Sequence, residues 1–144
     1  MTQQFNDKTG ARVTVSLVEA QPISAYTVSL ADGSRVGRAD FVDSLPADGD
    51  RIFFHTEVGE EFSGRGLAGL LVREALTDSI RKNLTVVPVC PLFAAHLKKH
   101  GSEFLADGGK FRRPTRADIA LVTRATHSDA GVHLRKEGHA VTDS

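Results

Sequence analysis

The hydrophobic and polar positions change period part-way along the chain. As far as Val58 the apolar residues come in short runs with strand character. The stretch RVTVSLV, from Arg12 to Val18, alternates and predicts an edge strand or an ordered arm. The runs at 25–30 and 35–42 flank Ala31-Asp32-Gly33-Ser34, and an Asp-Gly pair between two such runs predicts a β-hairpin. After the turn-rich PADGD, the segment RIFFHTEV at 51–58 reads as a strand rich in β-branched and aromatic residues. Strict alternation puts Ile52, Phe54, Thr56 and Val58 on one face and Phe53, His55 and Glu57 on the other. A histidine and a carboxylate thereby become neighbours.

Beyond Gly59 the period is helical. Leu67, Ala68, Leu71, Val72, Ala75, Leu76 and Ile80 recur at three- and four-residue spacing, with Arg73, Glu74, Thr77, Asp78, Arg81 and Lys82 opposite. The spacing predicts a helix over 67–80, with Arg81 and Lys82 at the negative end of its dipole and Asn83 as its stop. LTVVPV, 84–89, predicts a strand that loses pairing near Pro88, which has no N–H to give. Pro91 suits the first position of a second helix, 91–100, with Phe93 and Leu97 on one face and Gly101 beyond its end. Past Phe104 the chain is rich in Gly, Arg, Asp and Thr. A short helical turn is expected over 118–125, capped near Thr115, and 127–144 has too little apolar content to bury, so a mobile tail is expected there. Strands followed by helix, strand and helix make an α/β order. The organisation expected is an N-terminal arm or edge strand at 1–20, a compact domain at 21–106 and a largely flexible C-terminal extension at 107–144.

Composition narrows the function. A chain of 144 residues, 40% hydrophobic, suffices for one core. Its 18 Lys and Arg balance 18 Asp and Glu, so the global positive field that draws a protein to nucleic acid is missing, and no nucleic-acid partner is expected. No apolar run reaches the roughly 20 residues of a membrane helix, and the first ten residues lack signal-peptide character, so no membrane association and a cytoplasmic location are expected. The single cysteine, Cys90, is either a packed thiol or a reactive one.

The chemistry concentrates in Val58-Gly59-Glu60-Glu61-Phe62-Ser63-Gly64-Arg65-Gly66-Leu67-Ala68, which places glycines between a strand end and a helix start. Such a turn presents unpaired N–H groups at the positive end of a helix, and glycine lets an anion approach the main chain. The Gly-Lys-Ser/Thr ending of a nucleotide loop and the three-glycine dinucleotide pattern are both missing, which disfavours ATP and NAD. A tight connection that binds nothing has the same pattern.

Taken together, His55-Thr56-Glu57-Val58, then Phe62-x-Gly64-x-Gly66-Leu67-Ala68, then Val87-Pro88-Val89-Cys90-Pro91 and His100 resemble the short branch of the GNAT superfamily of N-acetyltransferases. The resemblance spans about 25–104. It implies a mixed α/β sheet whose parallel strands splay apart beside Pro88, with 21–106 as the acetyl-CoA-binding domain. It also implies that acetyl-coenzyme A is the cofactor, its pyrophosphate on the loop from Glu61 to Leu67 and its pantetheine arm along Val58. The cofactor-binding residues expected are Val58, Phe62, Ser63, Gly64, Arg65, Gly66, Leu67 and Ala68. The acceptor would be an amine, in a small molecule or a protein. Two positions depart from the family pattern. Glu61 stands where Gln or Arg usually opens the phosphate loop, leaving Arg65 to compensate, and Phe104 stands where a tyrosine is common.

Three residues are candidates for catalysis. Cys90 precedes Pro91 at a helix start, where backbone N–H groups favour a thiolate, and the resemblance places the matching cysteine near the acetyl group, as acyl-accepting nucleophile or as pocket lining. His55 and Glu57 share a strand face, so one can hold the other or a water and take a proton from an attacking amine. A structural hydrogen-bonded pair would have the same spacing. His96 and His100, four apart on a helix, read as solvated histidines, and no metal is expected. Arg112, Arg113 and Arg116 read as solvated surface. The enzyme reading competes with a non-catalytic coenzyme A-binding module acting through partner contact, and with a plain interaction domain that binds no coenzyme A.

Overall fold

The structure is a computed structural model that describes residues 2–44 and 49–137, the side chains of 128–137 excepted. Seven strands form one mixed sheet in sequential order: β1 (Thr2–Asn6), β2 (Arg12–Val18), β3 (Ser24–Leu30), β4 (Arg35–Asp43), β5 (Asp50–Val58), β6 (Thr85–Pro88) and β7 (Lys110–Phe111). The first five pair antiparallel, and β6 and β7 add on parallel to β5. Helices α1 (Leu67–Arg81) and α2 (Pro91–Ala106) supply the crossovers, and α3 (Arg116–Glu137) follows the last strand. This is the α/β mixed sheet expected. The Asp-Gly hairpin forms, with Gly33 at φ +91° and Leu30 N–H donating to the Ser34 carbonyl at 2.9 Å. Arg12–Val18 is an interior strand, because β1 pairs outside it.

Strict alternation fails in β5. Asp40 pairs with His55 but Phe41 pairs with Phe53, so Phe54 is the extra residue of a β-bulge and the side-chain phase reverses across it. Phe53 therefore joins the core on the same face as Thr56 and Val58, while Ile52 and Phe54 pack on the other. The expected grouping of Phe53 with His55 and Glu57 is corrected by this single residue.

The two faces of the sheet bury different helices. One takes the apolar stripe of α1, Leu67, Leu70, Leu71, Ala75 and Leu76, together with Phe93, Leu97 and Phe104 of α2. Tyr26, Phe41, Phe53 and Phe93 pile up within it, the last two stacked at 4.3 Å. The other face is smaller, with Val42, Ile52 and Val87 against Leu121, Val122 and Ala125 of α3. Asp78, expected on the solvated side of α1, is buried instead and accepts the Tyr26 hydroxyl proton at 2.6 Å.

The second and third helices run further than expected. α2 continues past His100, where it kinks at φ −121°, and on to Ala106. Gly101 is not a stop. It is buried against Phe111, where a Cβ would lie 3.0 Å from the ring. The turn expected over 118–125 is the first part of the 22-residue α3. Thr115 and Asp118 cap it reciprocally, the Thr115 N–H donating to the Asp118 carboxylate at 2.7 Å and the Asp118 N–H reaching the Thr115 hydroxyl at 3.4 Å. Of the tail expected at 127–144, the part to Glu137 is helical, and 138–144 lie outside the described residues. No described helix is long and apolar enough to cross a membrane.

Candidate active site

The loop from β5 to α1 turns on two left-handed glycines. A single 3-10 turn, Glu60–Phe62, leads through Ser63 to Gly64 at φ +83° and Gly66 at φ +78°, left-handed conformations that glycine adopts without penalty. Gly66 is the N-cap of α1 and offers no side chain, and the first intrahelical bond runs from Leu70 N–H to the Gly66 carbonyl. The N–H groups ahead of Leu70 therefore have no carbonyl within the helix to bond. Leu67 is buried and contributes only its main chain, Ala68 is half-buried, and Phe62 and Val58 pack against the core beside the loop. A Cβ on Gly64 would meet nothing within 4 Å, so space lies open there.

The turn between β1 and β2 closes on this loop, which the sequence pattern did not reveal. Lys8 N–H donates to the Arg65 carbonyl at 3.0 Å, and the Lys8 side chain lies against Gly66, where a Cβ would come within 3.0–3.2 Å of it. Arg65 Nε donates to Asp7 Oδ2 at 2.6 Å. Asp7 is held well below the usual carboxylate range, at about 2, by the Thr9 hydroxyl, against the opposing effect of burial, with further help from Arg65. Arg65 is thus tethered by one nitrogen, and Lys8 supplies a second cation beside the helix start. The signal available was a turn-forming Asn6-Asp7-Lys8-Thr9-Gly10, which says nothing of a loop 58 positions away.

Next to this loop the sheet opens. β5 and β6 pair only from Asp50 with Thr85 to Phe53 with Pro88. Beyond that the Phe53 carbonyl accepts both the Val89 and Cys90 N–H groups, at 2.9 and 2.8 Å, and the chain turns into α2. The part of β5 after Phe53 thus has an edge unpaired by β6, as Pro88 predicts. Cys90 is the N-cap of α2, buried to 3% exposure, its sulfur 3.4 Å from the Thr56 hydroxyl. Thr56, part of the family motif but not among the catalytic candidates, is the polar group that faces the thiol.

His55 and Glu57 are brought together, Nε2 to Oε1 at 2.9 Å, and Arg38 Nη1 stands 3.5 Å from Glu57 Oε2. The His55 hydrogen bond and then the Arg38 charge lower the Glu57 pKa, so the carboxylate stays ionised. The pair points away from Cys90, because Thr56 between them faces the thiol. The three catalytic candidates therefore lie on opposite faces of β5 at the rim of the gap. Asp40, opposite His55 in the ladder, joins the pair through Arg38. Burial raises its pKa, and Arg38 works against that rise.

The sequence of residues 25–107 matches the family described as GCN5-related N-acetyl-transferase, a segment of more than half the chain. The chain belongs to this family. It carries an acetyltransferase domain, and the strand gap and glycine loop lie within the matched segment, whereas Asp7 and Lys8 lie outside it. No curated protein matches the chain in sequence. No phenol stands in the strand gap among the described residues. Phe104 packs on Gly109, where any Cβ would lie 2.5 Å from its ring, and Tyr26 is locked in the core between Asp78 and Arg51. The His96 and His100 rings lie 4.9 Å apart, tilted by 42°. Arg112, expected as solvated surface, instead bridges Asp118 and Asp50, each at 2.7 Å.

Proposed function

We propose that the protein is an acetyl-CoA-dependent N-acetyltransferase that binds the cofactor across the glycine loop and in the gap between β5 and β6, and passes acetyl to an amine. The observation that carries this reading is the uncapped start of α1 at Gly66, with Lys8 and Arg65 beside it, next to a strand edge that β6 leaves unpaired. Free N–H groups and the Lys8 ammonium, with the Arg65 guanidinium held beside them by Asp7, suit a pyrophosphate. The exposed main chain as far as Val58 suits the amides of a pantetheine arm. Phe62, Ser63, Gly64, Leu67 and Ala68 would frame the phosphates.

The amine must lose a proton before it attacks. His55 takes that proton, held in place by the ionised Glu57, and being exposed it passes the proton to water. The neutral nitrogen attacks the acetyl carbonyl, and its second proton leaves with the coenzyme A sulfur. In the covalent variant Cys90 first attacks the thioester, its proton departing with coenzyme A, and the amine then takes acetyl from the Cys90 sulfur. Intact mass after incubation with acetyl-CoA separates the routes. The covalent route predicts one added acetyl group that is absent in Cys90→Ala, with turnover lost in that variant. Unimpaired turnover in Cys90→Ala would leave Cys90 as pocket lining and the transfer direct.

A further inference from the structure

On the face of the sheet that carries His55 and Glu57, a cavity of about 440 Å³ lies over β2 to β5 and reaches the start of the glycine loop. Its size falls within the ~300–1,000 Å³ of ordinary small-ligand sites. The floor is laid by Ala25 and Asp40, paired across β3 and β4, and by the neighbouring row of Thr27, Arg38 and Glu57 on the same face. His55 continues the Asp40 row on β5, outside the lining. Val18, Ile23, Val36 and Phe62 give it apolar walls, and Glu61 closes the end nearest the loop.

The charges in this cavity favour a cation. Asp40, Glu57 and Glu61 line it against Arg35 and Arg38, and the Arg38 guanidinium sits between Asp40 and Glu57. Both Asp40 oxygens take their bond from one donor, Arg38 Nε, at 3.1 and 3.0 Å. A carboxylate has about four lone-pair sites, so each oxygen can accept a further hydrogen bond. The Asp40 side chain is only 11% exposed, and a carboxylate so far out of water gains from a second positive partner. Glu61, which stands where the family pattern has a phosphate-binding side chain, lines this cavity.

We propose that this cavity is the acceptor site and that it selects a small primary amine, positively charged in solution, on an apolar body. The ammonium lies by Asp40 and Glu57, the body against Ile23, Val36 and Phe62, and His55 stands at the end of the Asp40 row nearest the strand gap, where the proton must leave. This inference rests on the acetyl-transfer reading for its chemistry, but its binding claim is separable.

The test uses the full chain and three probes, n-butylamine, n-hexylamine and phenethylamine, with hexanoate as the anion of matching length. Amide chemical shifts are followed without cofactor, and acetyl transfer is then assayed with each amine. At least one amine should perturb the amides of Ala25, Thr27, Asp40 and Glu57 and should be acetylated, while hexanoate perturbs none of them. Asp40→Asn should reduce kcat/KM about tenfold or more, mainly through KM, with acetyl-CoA affinity unchanged. Ala25→Leu fills the cavity beside Asp40 without touching a charge, and it should have the same effect if Asp40→Asn fails to fold. If acetyl-CoA binds and no amine perturbs these residues, or hexanoate does so equally, the cavity assignment is overturned and the cofactor reading stands. If an amine binds here but acetyl-CoA does not bind at all, the cavity assignment stands and the transfer reading falls.

Discussion

Tyr26 carries the one phenol of the chain, and its hydroxyl is spent inside the core. It donates to Asp78 at 2.6 Å and accepts from Arg51 Nη1 at 2.8 Å, while Arg51 lies over the Phe41 ring and pairs with Asp43. Burial pushes the tyrosine well above its ordinary pKa, so the proton stays on the oxygen at any working pH. These residues hold β3, β4, β5 and α1 to one another, and none of them faces the strand gap. Tyr26→Phe should therefore cost about 1–3 kcal/mol in urea unfolding, because Asp78 and Arg51 each lose a buried partner. Turnover per folded molecule should be unchanged. Loss of turnover with stability intact would mean that Tyr26 moves a proton in the reaction. The same logic explains why the alternation of α1 misplaced Asp78: a carboxylate is assigned to water unless a buried donor is known, and that donor lies 52 residues away.

At the scale of elements, the described start of α3 is attached by charge as well as by apolar contact. Only Leu121, Val122 and Ala125 of its described side chains join the second core, whereas Arg112 donates twice to Asp118, at 2.7 and 2.9 Å, and once to Asp50. The Arg112 bonds, and then those of Thr115, hold Asp118 at about 2 against burial, below its ordinary 3.8. A carboxylate lowered on folding stabilises the fold above its unfolded value and ceases to do so as pH falls through its folded one. Stability should thus decline between about pH 4 and pH 2, with Asp7, also at about 2, contributing to the decline. Asp118→Ala removes half of the capping box and should cost about 1–2 kcal/mol at neutral pH, and it should flatten part of that acid slope. Thermal melts across the pH range check both, and an unchanged slope would show that the Arg112 bridge does not hold the helix.

For the molecule as a whole, what could be read in the sequence was local. The Asp-Gly hairpin, the stripe of α1, the αL stop at Asn83 and the glycine loop each follow from a few adjacent residues, and each is found where its spacing puts it. What could not be read depended on partners far along the chain. The bulge at Phe54 needs the register against β4, and without it the strand face is assigned wrongly from Phe54 back. The contact of Asp7 and Lys8 with the glycine loop needs the path of the N-terminal hairpin, which lies outside the segment that matches the family. Arg112 reads as surface until Asp50 and Asp118 are seen on either side of it. The family itself was legible in the sequence, and Gly64 and Gly66 of its glycine loop take the left-handed conformations that favour glycine.

The central claim is that the N-terminus of α1, with its glycine approach, holds the phosphates of acetyl-CoA. Calorimetric titration of the purified chain with acetyl-CoA tests it most directly, beside the variant Gly66→Ala. A Cβ at φ +78° costs about 1–2 kcal/mol of backbone strain and presses on Lys8, so the variant should move both the free N–H groups and the neighbouring cation. The account predicts saturable binding by the natural chain, weakened about tenfold or more by Gly66→Ala at matched folded fraction. No binding at millimolar acetyl-CoA, or equal affinity in the variant, would contradict it.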